Sequence, residues 1–122
     1  MRILIADDQK HARSGLRALI RATLHQPEIR EAANGLEAER ACEEFLPDLV
    51  LMDVHMPEED GLAATRWIKT RRPQTRVLVL SIQPDHRADA LAAGADGFAS
   101  KCDTPESLLT QLAVLGFPPV SG

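Results

Sequence analysis

The sequence has no tyrosine, one tryptophan and three phenylalanines among its 122 residues. With so few aromatic side chains, the core has to be built from Leu, Ile, Val and Ala. No apolar run approaches the ~18 residues that a membrane-spanning helix needs, and the N-terminus does not follow a signal-peptide pattern. We therefore expect a globular protein without a membrane segment or a leader, of a size that suits one domain.

Paired cysteines and clustered basic residues are missing as well. Cys42 and Cys102 stand outside any CxxC pattern, which argues against a disulfide framework or a thiolate metal site and favours a reduced, cytoplasmic compartment. Acidic residues outnumber basic ones 18 to 14, and no Lys/Arg run is longer than two residues. This balance argues against nucleic acid or an anionic membrane surface as a direct partner of this chain.

Short apolar segments alternate with segments of helical periodicity along the whole chain. The predicted strands cover residues 2–6, 28–32, 48–53, 76–81 and 97–101, and the predicted helices cover residues 9–24, 34–45, 62–72, 85–94 and 104–116. Asp8 is placed to cap the first helix, Gly94 to end the fourth, and Thr104 to cap the fifth. Five successive strand–helix units predict an α/β fold in which helices cover both faces of a parallel sheet.

Polar residues stand at the ends of four of these predicted strands. Asp7 and Asp8 follow the first, Asp53 ends the third, Ser81 ends the fourth and Lys101 ends the fifth. Because parallel strands end at one edge of the sheet, we expect these side chains to meet there, where open α/β sheets bind their ligands.

Three carboxylates at one edge need a compensating cation. Two of them about 5 Å apart repel by roughly 3 kcal/mol at an effective dielectric constant of 20. Oxygen ligands without an obligatory Cys or His favour Mg²⁺. A lysine and a hydroxyl beside that ion form an anion site of the kind that phosphoryl transfer uses.

Four segments in this order, "IADD", "DLVLMDVHMPEEDGL", "VLVLS" and "AGADGFASK", resemble the receiver domains of two-component response regulators. The resemblance covers nearly the whole chain. It implies a flavodoxin-like (βα)5 fold with strand order 2-1-3-4-5, a receiver domain in residues 1–115 and the start of a linker in residues 116–122.

The resemblance also implies roles for the acidic residues. Asp53 would accept a phosphoryl group from a histidine kinase, so that the chain would catalyse its own phosphorylation and dephosphorylation without being an enzyme for a separate substrate. Asp8, Asp53 and the backbone carbonyl of His55 would bind Mg²⁺ directly, and Asp7 would act through a metal-bound water. Considered alone, Asp8 could be only a helix cap and His55 only a loop histidine.

The remaining implied roles belong to a switch. Lys101 would pair with the phosphoryl oxygens, Ser81 would move to hydrogen-bond the phosphoryl group, and Phe98 would rotate inward behind it. Each has a plainer alternative, as a surface lysine, a strand-end hydroxyl and a core side chain. The chain departs from the family pattern where Cys102 follows Lys101 in place of a proline joined by a cis bond, and where Ile82 replaces a small residue.

The other histidines, His11, His25 and His86, are expected on the surface. The fifth helix carries more apolar residues than one buried face needs, which predicts a partner surface there. Family precedent suggests a homodimer through the fourth helix, fifth strand and fifth helix, or through the fifth helix alone.

The segment "GADGFASKCDTPESLL" is most similar to the subgroup in which a helix-turn-helix DNA-binding domain follows the receiver, so DNA would be bound only by a domain absent from this chain. Two rival functions remain. One is a Mg²⁺-dependent phosphatase with an aspartyl nucleophile, although His55 stands where its general acid is expected. The other is a receiver that stands alone or that works without phosphorylation.

Overall fold

The computed structural model describes residues 1–56 and 60–120. Three residues of the segment "DLVLMDVHMPEEDGL", 57–59, and the last two residues of the predicted linker lie outside the described residues. Within the described part of the chain, no helix is both long enough and apolar enough to cross a membrane.

Five strands and five helices alternate from end to end. The strands are β1 (Arg2–Ala6), β2 (Glu28–Ala32), β3 (Leu49–Asp53), β4 (Arg76–Ser81) and β5 (Gly97–Ser100). The helices are α1 (Lys10–Thr23), α2 (Gly35–Phe45), α3 (Gly61–Arg71), α4 (His86–Ala92) and α5 (Pro105–Val114). Every predicted element is present: β1, β2 and β4 have the predicted bounds, and the ends of the other elements differ from the prediction by at most two residues.

All strand pairs are parallel, and the sheet order is β2-β1-β3-β4-β5. The predicted flavodoxin-like order is therefore confirmed, with the weakly apolar β2 at an edge. β3 is buried along its whole length, as its doubly apolar sequence predicts. Two clusters of buried aliphatic side chains, one on each face of the sheet, join it to the helices.

The start of α1 differs from the prediction. Gln9, not Asp8, is the N-cap residue, and it makes no side-chain capping bond. Instead, the carboxylate of Asp7 accepts the backbone N–H of Gln9 at 2.9 Å. Asp8 is exposed one position before the cap, which leaves its carboxylate available at the strand end. The predicted capping role of Asp8 is therefore wrong.

Most apolar residues of α5 are used inside the domain. Leu112 is fully buried, and four neighbours pack partly buried against the same cluster: Leu108, Leu109, Leu115 and Phe117. Val114 alone among the apolar α5 residues named here is strongly exposed, at 79%. The excess of apolar residues is thus smaller than the sequence suggests.

The segment after α5 turns back along the domain. Gly116 has φ +103°, and the backbone N–H of Val120 donates to the carbonyl of Thr23, at the end of α1, at 2.7 Å. Phe117 lines a cavity together with Met1, Asp48 and Arg76. Since those three residues precede or begin strands, the tail lies at the edge of the sheet where the strands start.

Gly61 lies against the backbone of Asp53. The N–H of Gly61 donates to the carbonyl of Val54 at 2.9 Å, and a Cβ atom on Gly61 would lie 1.9 Å from the carbonyl oxygen of Asp53. No side chain fits at that distance, so α3 can begin this close to the end of β3 only with glycine at its first position.

We expect Gly61→Ala to lower the free energy of unfolding by about 1–3 kcal/mol, because the backbone at Asp53 has to shift. Gly15→Ala is the matched control, since its Cβ would meet nothing within 4 Å and Gly15 lies inside a helix. This variant should gain roughly 0.5–1 kcal/mol. Urea unfolding of both variants measures the difference, and equal effects would contradict the steric argument.

Candidate functional site

The ends of β1, β3 and β5 bring three charged side chains together. Asp7 follows β1, Asp53 is the last residue of β3 and Lys101 follows β5. The backbone N–H of Lys101 donates to the carbonyl of Ser81 at 2.9 Å, which extends the β4–β5 pairing by one bond and fixes where the lysine leaves the sheet. The sequence predicted that the side chains at the strand ends lie close together, and the structure shows this for Asp7, Asp53 and Lys101.

Lys101 forms ion pairs with both buried carboxylates. Its Nζ lies 2.7 Å from Oδ2 of Asp7 and 3.1 Å from Oδ1 of Asp53. Asp7 and Asp53 are only 1% and 5% exposed, whereas the side chain of Lys101 is 25% exposed. A buried carboxylate is costly without a partner, so this ammonium group is what permits two of them to lie side by side.

Burial and charge shift the pKa values of this pair. Burial raises the pKa of Asp53 above its ordinary value, and the hydrogen bond and charge of Lys101 only partly offset that effect. Burial alone would lower the pKa of Lys101, but its hydrogen bonds to Asp7 and Asp53 outweigh burial and raise it. Lys101 is therefore positively charged at neutral pH, whereas the ionised form of Asp53 is destabilised.

Asp7, Asp8 and Asp53 form a cluster of oxygen ligands. Each offers a carboxylate oxygen, and these three oxygens lie within 4.8 Å of one another. Both oxygens of Asp7 already have donors, the N–H of Gln9 and the ammonium of Lys101. Asp8 is exposed beside it, so the set suits a hard divalent cation held mainly by Asp8 and Asp53.

A cavity of about 320 Å³ opens onto this cluster. The described residues that line it are Asp8, Gln9, Ala12, Asp53, His55, Ile82 and Lys101. Ile82 is 59% exposed and His55 is exposed as well, so both side chains border the access route from solvent. The cavity therefore offers a small anion a path to the carboxylate of Asp53 and the ammonium of Lys101.

The two side chains that the sequence assigns to a switch lie deeper. Ser81 is fully buried, and its Oγ lies 2.7 Å from Nδ1 of His86. Phe98 is 3% exposed, with the guanidinium of Arg87 5.3 Å from its ring centroid. Movement of Ser81 or Phe98 stays a prediction, because it concerns a second state of the molecule.

One sequence expectation near the site needs revision, and one question that the sequence left open is answered. His86 is not a free surface histidine, because it is half-buried against Ser81. Its ring centroid also lies 5.0 Å from that of His55. No peptide bond is cis in the described residues, so the bond between Lys101 and Cys102 is trans.

The sequence profile described as "Response regulator receiver domain" matches residues 3–113. The transcriptional regulatory protein YhcZ of Bacillus subtilis is 42% identical over 95% of this chain and 55% of its own length. DegU of Brevibacillus brevis, also named a transcriptional regulatory protein, is 33% identical over 94% of this chain and 50% of its own length. The chain thus spans about half the length of the curated relatives it matches.

Solved structures of response regulators are also similar to this chain. A LuxR-family two-component response regulator from Aurantimonas superposes with a TM-score of 0.86 at 32% identity, covering 93% of this chain and 83% of that chain. The response regulator TrrA of Thermotoga maritima superposes with a TM-score of 0.85 at 27% identity, covering 93% and 97%. The TrrA structure is a complex with Mg²⁺ and beryllium fluoride.

The raised pKa of Asp53 has a consequence for stability. Folded Asp53 binds its proton more tightly than unfolded Asp53, so stability falls as pH rises from the ordinary carboxylate pKa of ~3.9 toward the folded-state value. Asp53→Asn should therefore raise the free energy of unfolding at neutral pH without metal, and the gain should shrink toward about pH 4. Urea unfolding across that range measures it.

The same variant should respond less to metal. Mg²⁺ at about 100 times its dissociation constant stabilises a protein by about 2.7 kcal/mol, and Asp53→Asn should lose most of that gain. Asp89→Asn, an exposed acid on α4, is the control and should follow the wild type in both respects. A wild type that is no less stable than Asp53→Asn at neutral pH would contradict the burial argument.

Proposed function

The chain belongs to the response regulator receiver domain family, and we propose that its Asp53 accepts a phosphoryl group from a histidine kinase. The observation that carries the proposal is the placement of Asp53 itself. Its carboxylate lies at the end of β3, 3.1 Å from the ammonium of Lys101, among two further acids and on a cavity open to solvent.

The chain's own residues would carry the reaction. An oxygen of Asp53 attacks phosphorus, a new O–P bond forms, and the bond between phosphorus and the donor's leaving atom breaks. Burial destabilises the negative charge on the carboxylate of Asp53. When Asp53 is phosphorylated, the attacking carboxylate oxygen becomes bonded to phosphorus. Lys101, already within 3.1 Å, would pair with the phosphoryl oxygens as they enter the cavity.

The acid cluster fits Mg²⁺, with Asp8, Asp53 and the backbone carbonyl of His55 as the proposed direct ligands. When bound, the ion would supply positive charge against the phosphoryl oxygens. Asp7 would act indirectly, since the N–H of Gln9 and the ammonium of Lys101 occupy its two oxygens. Its contribution is to hold Lys101 in place and to take part in the site through a water.

The proposal assigns no separate substrate to this chain: it would promote its own phosphorylation and dephosphorylation. Ser81 would bond to the phosphoryl group and Phe98 would fill the space behind Ser81 in the phosphorylated state. Ile82 and His55 border the cavity, so they are placed to slow the entry of water and small phosphodonors.

The relatives named as transcriptional regulators are about twice as long as this chain. We propose that the chain likewise controls a DNA-binding output domain, with residues 1–115 as the receiver and residues 116–122 as the start of the connecting linker. The partners would be a cognate histidine kinase in the cytoplasm and a second receiver, which would bind through α4, β5 and α5 or through α5 alone.

Phosphorylation should therefore change the oligomeric state. Exposed Val114 on α5 is a side chain that such a contact would cover. Sedimentation with and without Mg²⁺ and beryllium fluoride should show a shift from monomer to dimer, and Val114→Glu should reduce it. A monomer under both conditions would contradict the dimer.

The phosphoacceptor can be tested directly. Incubation with acetyl phosphate and Mg²⁺ should add one phosphoryl group by intact mass, and omission of Mg²⁺ should reduce the yield. Asp53→Ala should abolish the adduct because it removes the attacking oxygen. Asp89→Ala, which removes an exposed acid on α4, should be phosphorylated like the wild type.

An adduct that persists in Asp53→Ala would contradict the assignment of Asp53. Rapid release of phosphate with no adduct, lost in Asp53→Ala, would favour the phosphatase alternative. A wild type that acquires no adduct from either acetyl phosphate or a phosphorylated kinase would favour a receiver that works without phosphorylation.

A further inference from the structure

The hydroxyl of Ser81 is tied to the segment that leads into α4. Its Oγ accepts the backbone N–H of Gln83 at 3.0 Å and lies 2.7 Å from Nδ1 of His86. Ser81 is fully buried, and it is not among the described residues that line the cavity at Asp53. The hydroxyl thus has its partners on the α4 side of the sheet edge.

A serine hydroxyl has a single hydrogen to donate. In the tautomer that carries its proton on Nε2, His86 accepts that hydrogen at Nδ1, while Oγ accepts from Gln83. Phosphoryl oxygens are acceptors only, so a phosphoryl group on Asp53 needs the same hydrogen. Ser81 cannot donate to His86 and to a phosphoryl oxygen at once.

We infer that His86 is a positioning residue that holds Ser81 in the unphosphorylated arrangement and has to release it when Asp53 is modified. This inference rests on the proposed function and deepens it. The sequence gives no reason to select His86, because it is one of four histidines and stands five residues beyond Ser81.

The surroundings of His86 favour this role. His86 is the first residue of α4, and the N-cap residue before it, Asp85, makes no side-chain capping bond. The contact with Ser81 therefore ties the start of α4 to the end of β4. The ring centroid of His86 also lies 5.0 Å from that of His55, which borders the cavity. Release of Ser81 would thus affect both α4 and the mouth of the cavity.

The second switch side chain is not held back in the same way. Phe98 is already buried, and the guanidinium of Arg87 lies over its ring. Burial of the Phe98 ring therefore does not depend on the release of Ser81. The bond between Ser81 and His86 is then the contact that still has to break.

Affinity for beryllium fluoride in the presence of Mg²⁺ measures this directly. His86→Ala leaves the buried hydroxyl of Ser81 without its acceptor in the free protein, so we expect binding about two- to tenfold tighter than in the wild type. Ser81→Ala should bind more weakly. Adding His86→Ala to Ser81→Ala should change nothing further, and His25→Ala, an exposed histidine, is the control.

Nitrogen NMR of the His86 imidazole, recorded at one fixed pH, supplies a second readout. The Nδ1 resonance should move when Ser81 is replaced by alanine. Addition of beryllium fluoride and Mg²⁺ to the wild type should move the Nδ1 resonance toward the position that it has in Ser81→Ala. A histidine that only packs against the helix would show neither change.

The outcomes separate the two hypotheses. If the wild type binds beryllium fluoride and His86→Ala binds it equally well, the role of His86 is overturned and the proposed function stands. The same conclusion follows if His86→Ala tightens binding as much in the Ser81→Ala background as it does in the wild type. If the wild type binds no complex and acquires no adduct on Asp53, both are overturned.

Discussion

The ammonium group of Lys101 is the contact on which the strand-end arrangement depends. It pairs with Asp7, 94 positions earlier in the chain, and with Asp53 across the sheet. Without a cation at this point, two nearly buried carboxylates would lie together in a medium of low polarity, at a cost of several kcal/mol. The fold therefore accommodates two buried acids by linking β1, β3 and β5 through one side chain. An incoming phosphoryl group would compete for that same ammonium.

The fold was largely predictable because its strands can be recognised from short patterns of apolar residues in the sequence. β3 and β4 are uninterrupted apolar runs, and helical periodicity lies between them. Helix ends were less predictable, since they depend on contacts between elements. Asp8 looked like an N-cap from its position, but the carboxylate of Asp7, fixed by Lys101, bonds to Gln9 instead. The apolar excess of α5 likewise became smaller once its packing against the sheet was known.

The acidic half of the site was predictable for a related reason. Parallel topology brings strand ends together, and Asp7, Asp53 and Lys101 meet because of it. His86 could not be found in this way, because it lies at the start of a helix and its contact with Ser81 depends on the turn through Gln83. The resemblance already implied an indirect role for Asp7, and the structure adds a physical reason, since both of its oxygens accept hydrogen bonds. Sequence order predicts which residues share an edge, whereas the partner of each atom follows from local packing.

The tail that bonds to the end of α1 has a consequence for how a signal could leave the domain. Val120 is attached to Thr23, and Phe117 lies beside Met1, at the edge of the sheet where the strands begin. Asp53 lies at the other edge, five residues of β3 away, or roughly 16 Å at ~3.3 Å per residue. Asp53 and the described part of the tail therefore lie at opposite ends of the strands. A change at Asp53 would therefore reach the point where Val120 bonds to α1 as a displacement of the intervening elements, because Asp53 does not itself lie at that point.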